Sequence, residues 1–198
     1  LPIPARSVEN PFLMPVESVN TIEQGTVVDG RIERGFVASG QKVEIVGWND
    51  SVEPSLTATV KGVEMFRKIL DRGEAGDNVG LLLDGVDKTD IQPGMVIVKP
   101  GTASPHRRFR AFASMFEMPG GEPEVTLRNG DTTQFYLRTA GFSGTLYLSG
   151  ETTQLTSENP VQIEVEMSMP VAIEPGLRLA IRRDGKTIGV GVVSEILE

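Results

Sequence analysis

Apolar and polar residues alternate along much of the chain, whereas the spacing of an amphipathic helix is scarce. Strict alternation runs from Val161 to Met167, and near alternation runs from Leu177 to Arg182. A period of two places the apolar side chains on one face of an extended segment, so both segments predict half-buried strands. The one helical candidate is a short turn at Lys88 to Ile91.

Turn-forming residues interrupt the apolar runs at short intervals. The predicted turns are Glu33-Arg34-Gly35, Ala38-Ser39-Gly40, Asp71-Arg72-Gly73, Gln92-Pro93-Gly94, Arg128-Asn129-Gly130-Asp131, Glu174-Pro175-Gly176 and Arg183-Asp184-Gly185. Gly, Pro, Asn and Asp each favour the backbone conformations that a turn requires. With 22 Gly and 13 Pro among 198 residues, the pattern predicts an all-β sandwich or barrel.

A stretch of small and rigid residues, Lys99 to Pro105, separates two blocks of about equal length. Such stretches are typical of domain boundaries, so we expect two domains. The first residues, Leu1 to Arg6, contain neither an initiator Met nor the apolar core of a signal peptide. This start predicts that the chain begins partway through a longer product.

The amino-acid composition excludes several kinds of catalytic and metal-binding site. The chain has no cysteine and a single histidine, His106. Disulfide scaffolds, Cys-ligated zinc and thiol nucleophiles are therefore excluded, and a catalytic triad would need its base at His106. Hydrophobic residues make up 39% of the chain and no apolar run approaches the length of a membrane span, so we expect no membrane association. The net charge of −8 argues against a strongly basic nucleic-acid binder.

Two segments look like known functional motifs, a phosphate-binding loop and a nucleophile elbow, but neither meets the requirements of its motif. Ala180 to Thr187 resembles a phosphate-binding loop, but the β-branched residues that follow predict a strand rather than the required helix. Asp184-Gly185 is instead a hairpin turn signal. Gly141 to Gly144 lacks the spacing of a nucleophile elbow. Glu164 and Glu166 lie on one polar strand face, and nothing in the sequence pairs them as glycosidase carboxylates.

Basic residues gather locally in the second block, at His106 to Arg110 and at a second group near the C-terminus. The second group comprises Arg178, Arg182, Arg183 and Lys186. Either group could meet a phosphate backbone, and either could equally be the solvated face of a strand.

Several segments resemble the second domain of bacterial-type elongation factor Tu. They are Asn10 to Glu17, Gly25 to Gly35, Val43 to Gly47, Gly62 to Lys68 and Ala75 to Gly80. The second block is similar to the third domain of the same family. Its matching segments are Gln134 to Thr139, Pro170 to Arg178, Ala180 to Arg182 and Gly185 to Val193.

The resemblance implies an all-β chain of two antiparallel β-barrels packed together. It implies a linker from a GTPase domain over residues 1–10, a barrel for the aminoacyl end over 11–101, and a barrel for the tRNA stem and protein partners over 102–198. It further implies GTP-dependent delivery of aminoacyl-tRNA to the ribosome, with a nucleotide exchange factor and the protein's own GTPase domain as further partners. The two barrels would be non-catalytic and hold no cofactor, since GTP and Mg would bind the GTPase domain. The expected location is the bacterial cytoplasm or an organellar matrix.

Residue roles follow from the same resemblance. In the first barrel Ile22, Val27 and Leu82 match the apolar slot for the terminal adenine, although apolar strand residues of this kind could also be ordinary barrel core. Glu64 matches a residue against the terminal nucleoside and Arg67 a residue near the 3′ phosphate, although the two could also form a cross-strand ion pair. Asn78 matches a wall of the amino-acid pocket. These residue types suit the chemistry, because carboxylates accept from ribose hydroxyls and guanidinium groups fork onto phosphate.

In the second barrel Gln134, Ser143 and Arg182 match positions that face the tRNA backbone. Such contacts position RNA without reading its sequence.

The chain also departs from the family pattern. Ser18 and Asn20 replace an acidic and an aromatic residue near the amino-acid pocket, and Glu122 to Glu124 place carboxylates where the family has a basic segment. Arg183 and Asp184 replace a Glu and a Gly. Two alternatives therefore stay open: a paralogue specialised for another cargo or for antibiotic resistance, and a β-barrel module that binds a protein partner.

Overall fold

The computed structural model describes residues 7–47, 55–117, 126–148, 154–157 and 159–197. Within them the chain forms short and medium strands joined by turns, with one 3-10 helical turn, η1, at Lys88–Asp90. The strands are β1 (Leu13–Pro15), β2 (Ser18–Ile22), β3 (Gly25–Arg31), β4 (Phe36–Ala38), β5 (Lys42–Val46), β6 (Ser55–Met65), β7 (Lys68–Leu70), β8 (Arg72–Glu74), β9 (Asn78–Asp84), β10 (Val96–Val98), β11 (Pro105–Met115), β12 (Leu127–Arg128), β13 (Thr132–Leu137), β14 (Ala140–Leu148), β15 (Gln154–Leu155), β16 (Val161–Ala172), β17 (Arg178–Arg183) and β18 (Lys186–Ile196).

Contacts divide the chain into a first unit, Leu1–Ser104, and a second unit, Pro105–Glu198. The main sheet of the first unit is antiparallel, in the order β1-β10-β5-β6-β9-β3-β2, with β7 paired to β6. The amide of Leu13 donates to the carbonyl of Arg34 (3.0 Å), and that of Glu17 donates to Asp29 (2.9 Å). These bonds join β1 and the residues after it to β3 and the segment that follows β3, so the sheet curls around an apolar interior that includes Val28, Val63 and Leu81.

The second unit is a closed antiparallel barrel in the order β11-β16-β14-β13-β17-β18, with β18 paired back to β11. Closure leaves the barrel without an unpaired edge. Inward-facing residues such as Phe109, Phe135 and Ile181 are fully buried. The all-β antiparallel fold expected from the sequence is confirmed.

The structure confirms both alternating segments as strands and the helical candidate as a single turn. The alternating segments at 161–167 and 177–182 lie in β16 and in and just before β17, and the helical candidate at Lys88 is η1. Asp184 (φ 50°) and Gly185 (φ 78°) form the two-residue turn between β17 and β18. A strand therefore follows the apparent phosphate-binding loop, as predicted.

The predicted turn at Asp71 to Gly73 is wrong. Arg72 and Gly73 belong to β8, which pairs with β4. A Cβ at Gly73 would lie 3.0 Å from the side chain of Ile32 and 3.1 Å from that of Val79. This glycine is needed for close packing within a strand rather than for a turn.

No helix in the described part of the chain is long and apolar enough to cross a membrane.

Candidate functional site

The strand register places several predicted residues on the outer face of β2, β3, β9 and β6. One cross-strand row runs Ser18, Asp29, Gly80, Glu64. The adjacent row runs Asn20, Val27, Leu82. Alternate residues point to the same face of a strand, so Asn78, two positions before Gly80, shares this face.

A groove of about 470 Å³ opens on this face. We call it the β3–β9 groove. Its lining includes Ile22, Val27, Glu64 and Asn78 from the predicted set, together with Glu17, Asn20, Asp29, Met65, Phe66 and Gly80. The groove thus combines apolar walls with carboxylate and amide groups.

Gly80 forms part of the floor of the groove. A Cβ there would lie 3.0 Å from Oδ1 of Asp29 and 3.4 Å from a methyl group of Val27. Asp29 and Glu64 flank this glycine in the same row. Neighbouring strands lie ~4.8 Å apart, so the two carboxylates rise from backbones ~10 Å apart with no side chain between them.

The β6–β7 hairpin forms one wall of the groove. Its two-residue turn, Phe66-Arg67, has φ values of 52° and 63°. A left-handed conformation at both positions matches a type I′ turn, which normally contains Asn, Asp or Gly. Non-glycine residues there store backbone strain, and such strain is found more often at functional sites than elsewhere. Phe66 is 86% exposed and contributes to the groove lining.

The opposite wall is polar. Oδ2 of Asp29 accepts hydrogen bonds from Oγ of Ser18 (2.7 Å) and Nδ2 of Asn20 (3.2 Å). Ser18 and Asn20, two of the departures from the family pattern, therefore both orient the same carboxylate.

The predicted residues do not all occupy the same place. Ile22 is 43% exposed, and Val27 and Leu82 are half-buried on the outer face, so the core interpretation of these three side chains is wrong. Leu82 pairs with Val27 but lies beside the groove rather than in its lining. Arg67 lies in the hairpin turn and does not line the groove.

Glu64 and Arg67 do not form the cross-strand ion pair that the sequence left open. Glu64 pairs across the hairpin with Ile69, and Arg67 lies in the turn. Within the described residues, neither side chain has a hydrogen bond or ion pair, so both groups are free to meet a ligand.

In the second unit the three predicted stem residues form one cross-strand row. Gln134 of β13 pairs with Ser143 of β14 on one side and with Arg182 of β17 on the other. All three belong to the outer face of the barrel. We call them the β13 row.

Arg182 is held in place by its neighbours. Its guanidinium carbon lies 4.6 Å from the ring centroid of Tyr136, and Nη2 donates to the carbonyl of Gly185 (2.6 Å). Its Nε has no hydrogen-bond partner within the described residues. That Nε is buried, so an external phosphate oxygen could be met only by the Nη groups of this fixed guanidinium.

The basic group at 106–110 is less available for binding a phosphate backbone than its sequence suggested. Arg108 forms an ion pair with Glu164, and Arg110 forms one with Glu195 (2.8 Å). Phe109 is buried in the barrel core. Acidic partners on β16 and β18 therefore neutralise two of the three arginines of this group.

Sequence reasoning did not identify Asp29, Phe66 or Gly80 as parts of the groove. The register that brings them together is set by strand pairing, which local sequence does not reveal. A signal existed at Phe66-Arg67, because two bulky residues between paired strand segments are unusual in a tight turn. Glu122 to Glu124 and residues 1–6 lie outside the described residues. Among the described residues no group of three or more metal-ligating side chains is positioned to hold an ion.

Comparison with known families agrees with the β fold of both units. Residues 25–98 match the family described as Elongation factor Tu domain 2, and residues 102–197 match Elongation factor Tu C-terminal domain. The fold and these matches together define the class, which is the β-barrel region of a translation elongation factor.

The chain belongs to the elongation factor Tu family and carries its second and third domains. The resemblance stated from the sequence is thereby confirmed. The matched domains are non-catalytic parts of proteins that work with tRNA and the ribosome.

Proposed function

We propose that the chain binds aminoacyl-tRNA, with the β3–β9 groove receiving the aminoacylated 3′ end and the β13 row contacting the backbone of the stem. In the intact factor this binding serves GTP-dependent delivery to the ribosome, in concert with the GTPase domain and its exchange factor. GTP and Mg are bound by that domain.

The observation that carries the proposal is the meeting of Ile22, Val27, Glu64 and Asn78 in one groove, although they come from four different strands. Val27 and Ile22 offer apolar surface to a base, and Glu64 offers an unpaired acceptor to a ribose hydroxyl. The side-chain amide of Asn78 can donate to an ester carbonyl and accept from an α-amino group.

Arg67 and Leu82 take supporting positions in this proposal. Arg67 stands at the hairpin turn beside Phe66, where its free guanidinium can reach a phosphate just outside the groove. Leu82 extends the apolar surface beside Val27.

The β13 row supports a complementary role. Its polar and basic side chains can contact phosphate and ribose oxygens, which are present in every tRNA. The row therefore positions an RNA stem without selecting its sequence.

Titration of the chain with charged and uncharged forms of one tRNA tests this proposal, by filter binding or calorimetry. We expect tighter binding of the charged form, because the groove contacts the aminoacyl group. Equal binding of both forms would contradict an aminoacyl site in the groove.

A second candidate is a paralogue specialised for another cargo or for resisting an antibiotic. The contacts of Ser18 and Asn20 with Asp29 favour it, since they place a hydroxyl and an amide where the family pattern has an acidic and an aromatic residue. A full-length product that binds GTP but fails to support polypeptide synthesis would favour this candidate over the first.

A further inference from the structure

A second groove, of about 580 Å³, lies elsewhere on the first unit and shares no lining residue with the β3–β9 groove. We call it the lysine groove. Its lining includes Asn10, Phe12, Phe36, Lys42, Val43 and Lys99. The proposed function makes no use of it. Its volume falls within the range of small-molecule sites, ~300–1,000 Å³.

Strand pairing brings the two lysines to the same end of the sheet. Lys42 is the first residue of β5, and Lys99 directly follows Val98, the last residue of β10, which pairs with Glu44. The amide of Lys99 donates to the carbonyl of Phe12 (3.0 Å). Both lysine side chains therefore start within one or two residues of the same strand pair.

The charges around the lysine groove are unbalanced. Neither lysine has a hydrogen bond or ion pair from its ammonium group within the described residues. The nearby carboxylate of Glu44 instead accepts a hydrogen bond from the backbone amide of Gly101 (2.7 Å). Glu9 is the acidic residue in the groove lining, so the lining carries an excess of positive charge.

The apolar part of the groove is anchored. Val43 and Phe12 are almost fully buried, whereas Phe36 is 40% exposed. The guanidinium of Arg72 lies over the Phe36 ring, 5.4 Å from its centroid, and forms an ion pair with Glu74. Phe36 is therefore a fixed apolar part of a lining that also contains Lys42 and Lys99, whose ammonium groups have no anionic partner within the described residues.

We propose that the lysine groove binds a small organic anion, whose apolar body packs against Phe36 and whose carboxylate, sulfonate or phosphate group meets Lys42 and Lys99. Both parts are required. The headgroup supplies a negative charge to pair with the two ammonium groups, and the apolar body removes the exposed surface of Phe36 from water.

Two fluorescent probes with the same apolar body test this directly. 8-Anilinonaphthalene-1-sulfonate carries the anion, and N-phenyl-1-naphthylamine lacks it. We expect the sulfonate to bind at one saturable site, and Lys42→Gln with Lys99→Gln to weaken it ~10-fold or more, the effect of losing charge-assisted hydrogen bonds. The neutral probe should bind both proteins alike, and Lys88→Gln, an exposed lysine on η1, should leave sulfonate binding unchanged.

Equal loss of both probes in the double variant, or unchanged sulfonate binding, would overturn the proposal. So would complete displacement by millimolar inorganic phosphate alone, since the apolar body would then be irrelevant. The single variant Lys42→Gln replaces the double variant if the latter does not fold, with a smaller loss expected.

Amide chemical shifts locate the probe. We expect the sulfonate to perturb the amides of residues 8–10, 12, 36, 41–43 and 99 of the wild-type chain. Perturbations confined to the exposed apolar side chains of the second unit, such as Phe112 and Val192, would show binding elsewhere and would also overturn the proposal.

Discussion

The two β units present different surfaces to a ligand. In the first unit, the β3–β9 groove lies on the outer face of the sheet, where Gly80 has no side chain and the hairpin turn at Phe66 forms one wall. In the second unit, the closed barrel carries Ser143, Gln134 and Arg182 in a row on its outer face. The groove can enclose and select a small chemical group, whereas the β13 row on an outer surface can only align a larger ligand.

The difference lies in what each surface requires of the sequence. The β3–β9 groove depends on a missing side chain and on a turn that holds two residues in a left-handed conformation. The β13 row requires only the regular register of adjacent strands. Substitutions in the groove should therefore act by shape and be severe, whereas those in the row should act by charge and be graded.

The largest effect on tRNA binding is expected from filling the β3–β9 groove with a side chain. Gly80→Val places its Cβ 3.0 Å from Asp29 and directs methyl groups into the groove. We expect binding of charged tRNA to weaken ~100-fold, or ~2.8 kcal/mol, and the preference over uncharged tRNA to disappear. Filter binding with both tRNA forms measures this.

Gly62→Val is the matched control for this substitution. Gly62 pairs with Leu82 on the same sheet, but a Cβ there meets nothing within 4 Å. Retained preference for charged tRNA in Gly80→Val, with the fold intact by circular dichroism, would show that the groove is not the aminoacyl site.

A large effect on stability is expected in the second unit alone. Arg138 lies in the β13–β14 turn, and its side chain is only 4% exposed. It donates to the carbonyl of Ala172 (2.7 Å) and to the carboxylate of Glu174 (2.8 Å). Arg138→Ala removes both bonds from a nearly buried site, which should cost ~2–3 kcal/mol of unfolding free energy.

Amide hydrogen exchange distinguishes the two units in this experiment. Protection should fall across β13, β16 and β17, while β3 and β9 keep theirs. The exposed Arg128→Ala is a control that should change protection little. Equal loss of protection in both units would mean that they unfold together, and the comparison between them would then hold for binding but not for stability.

Much of the fold could be predicted because the signals were local. Alternation located β16 and β17, and Asp184-Gly185 located the turn before β18. Gly73 was misinterpreted because glycine serves both turns and close packing, and only its neighbours Ile32 and Val79 distinguish the two. The groove was only partly predictable. Residue roles came from the family resemblance, but the contacts among Ser18, Asn20 and Asp29 depend on a pairing register that local sequence does not encode.

A moderate, salt-dependent effect is expected in the β13 row. Arg182→Gln removes one cation from this surface and should weaken tRNA binding ~10-fold or less. The slope of log K against log salt should become less steep by ~1, because one phosphate contact is lost. Arg182→Lys should retain the slope, since it retains the charge. An unchanged slope in Arg182→Gln would place the RNA stem away from this row.

The smallest effect is expected from relieving the strained turn of the first unit. Phe66→Asn with Arg67→Gly gives the β6–β7 hairpin the residues that a type I′ turn favours, and should raise the unfolding free energy of this unit by ~1 kcal/mol. The same change removes Phe66 from the groove wall and the guanidinium beside it, so the preference for charged tRNA should fall although the protein is more stable. Asp184→Asn is the matched control, because the turn it occupies in the second unit already ends in Gly185, and we expect its stability to stay within ~0.5 kcal/mol of wild type. Urea unfolding and filter binding on the same samples measure both quantities. If the first variant gains stability and keeps its full preference for charged tRNA, the strain at Phe66 and Arg67 does not serve ligand binding.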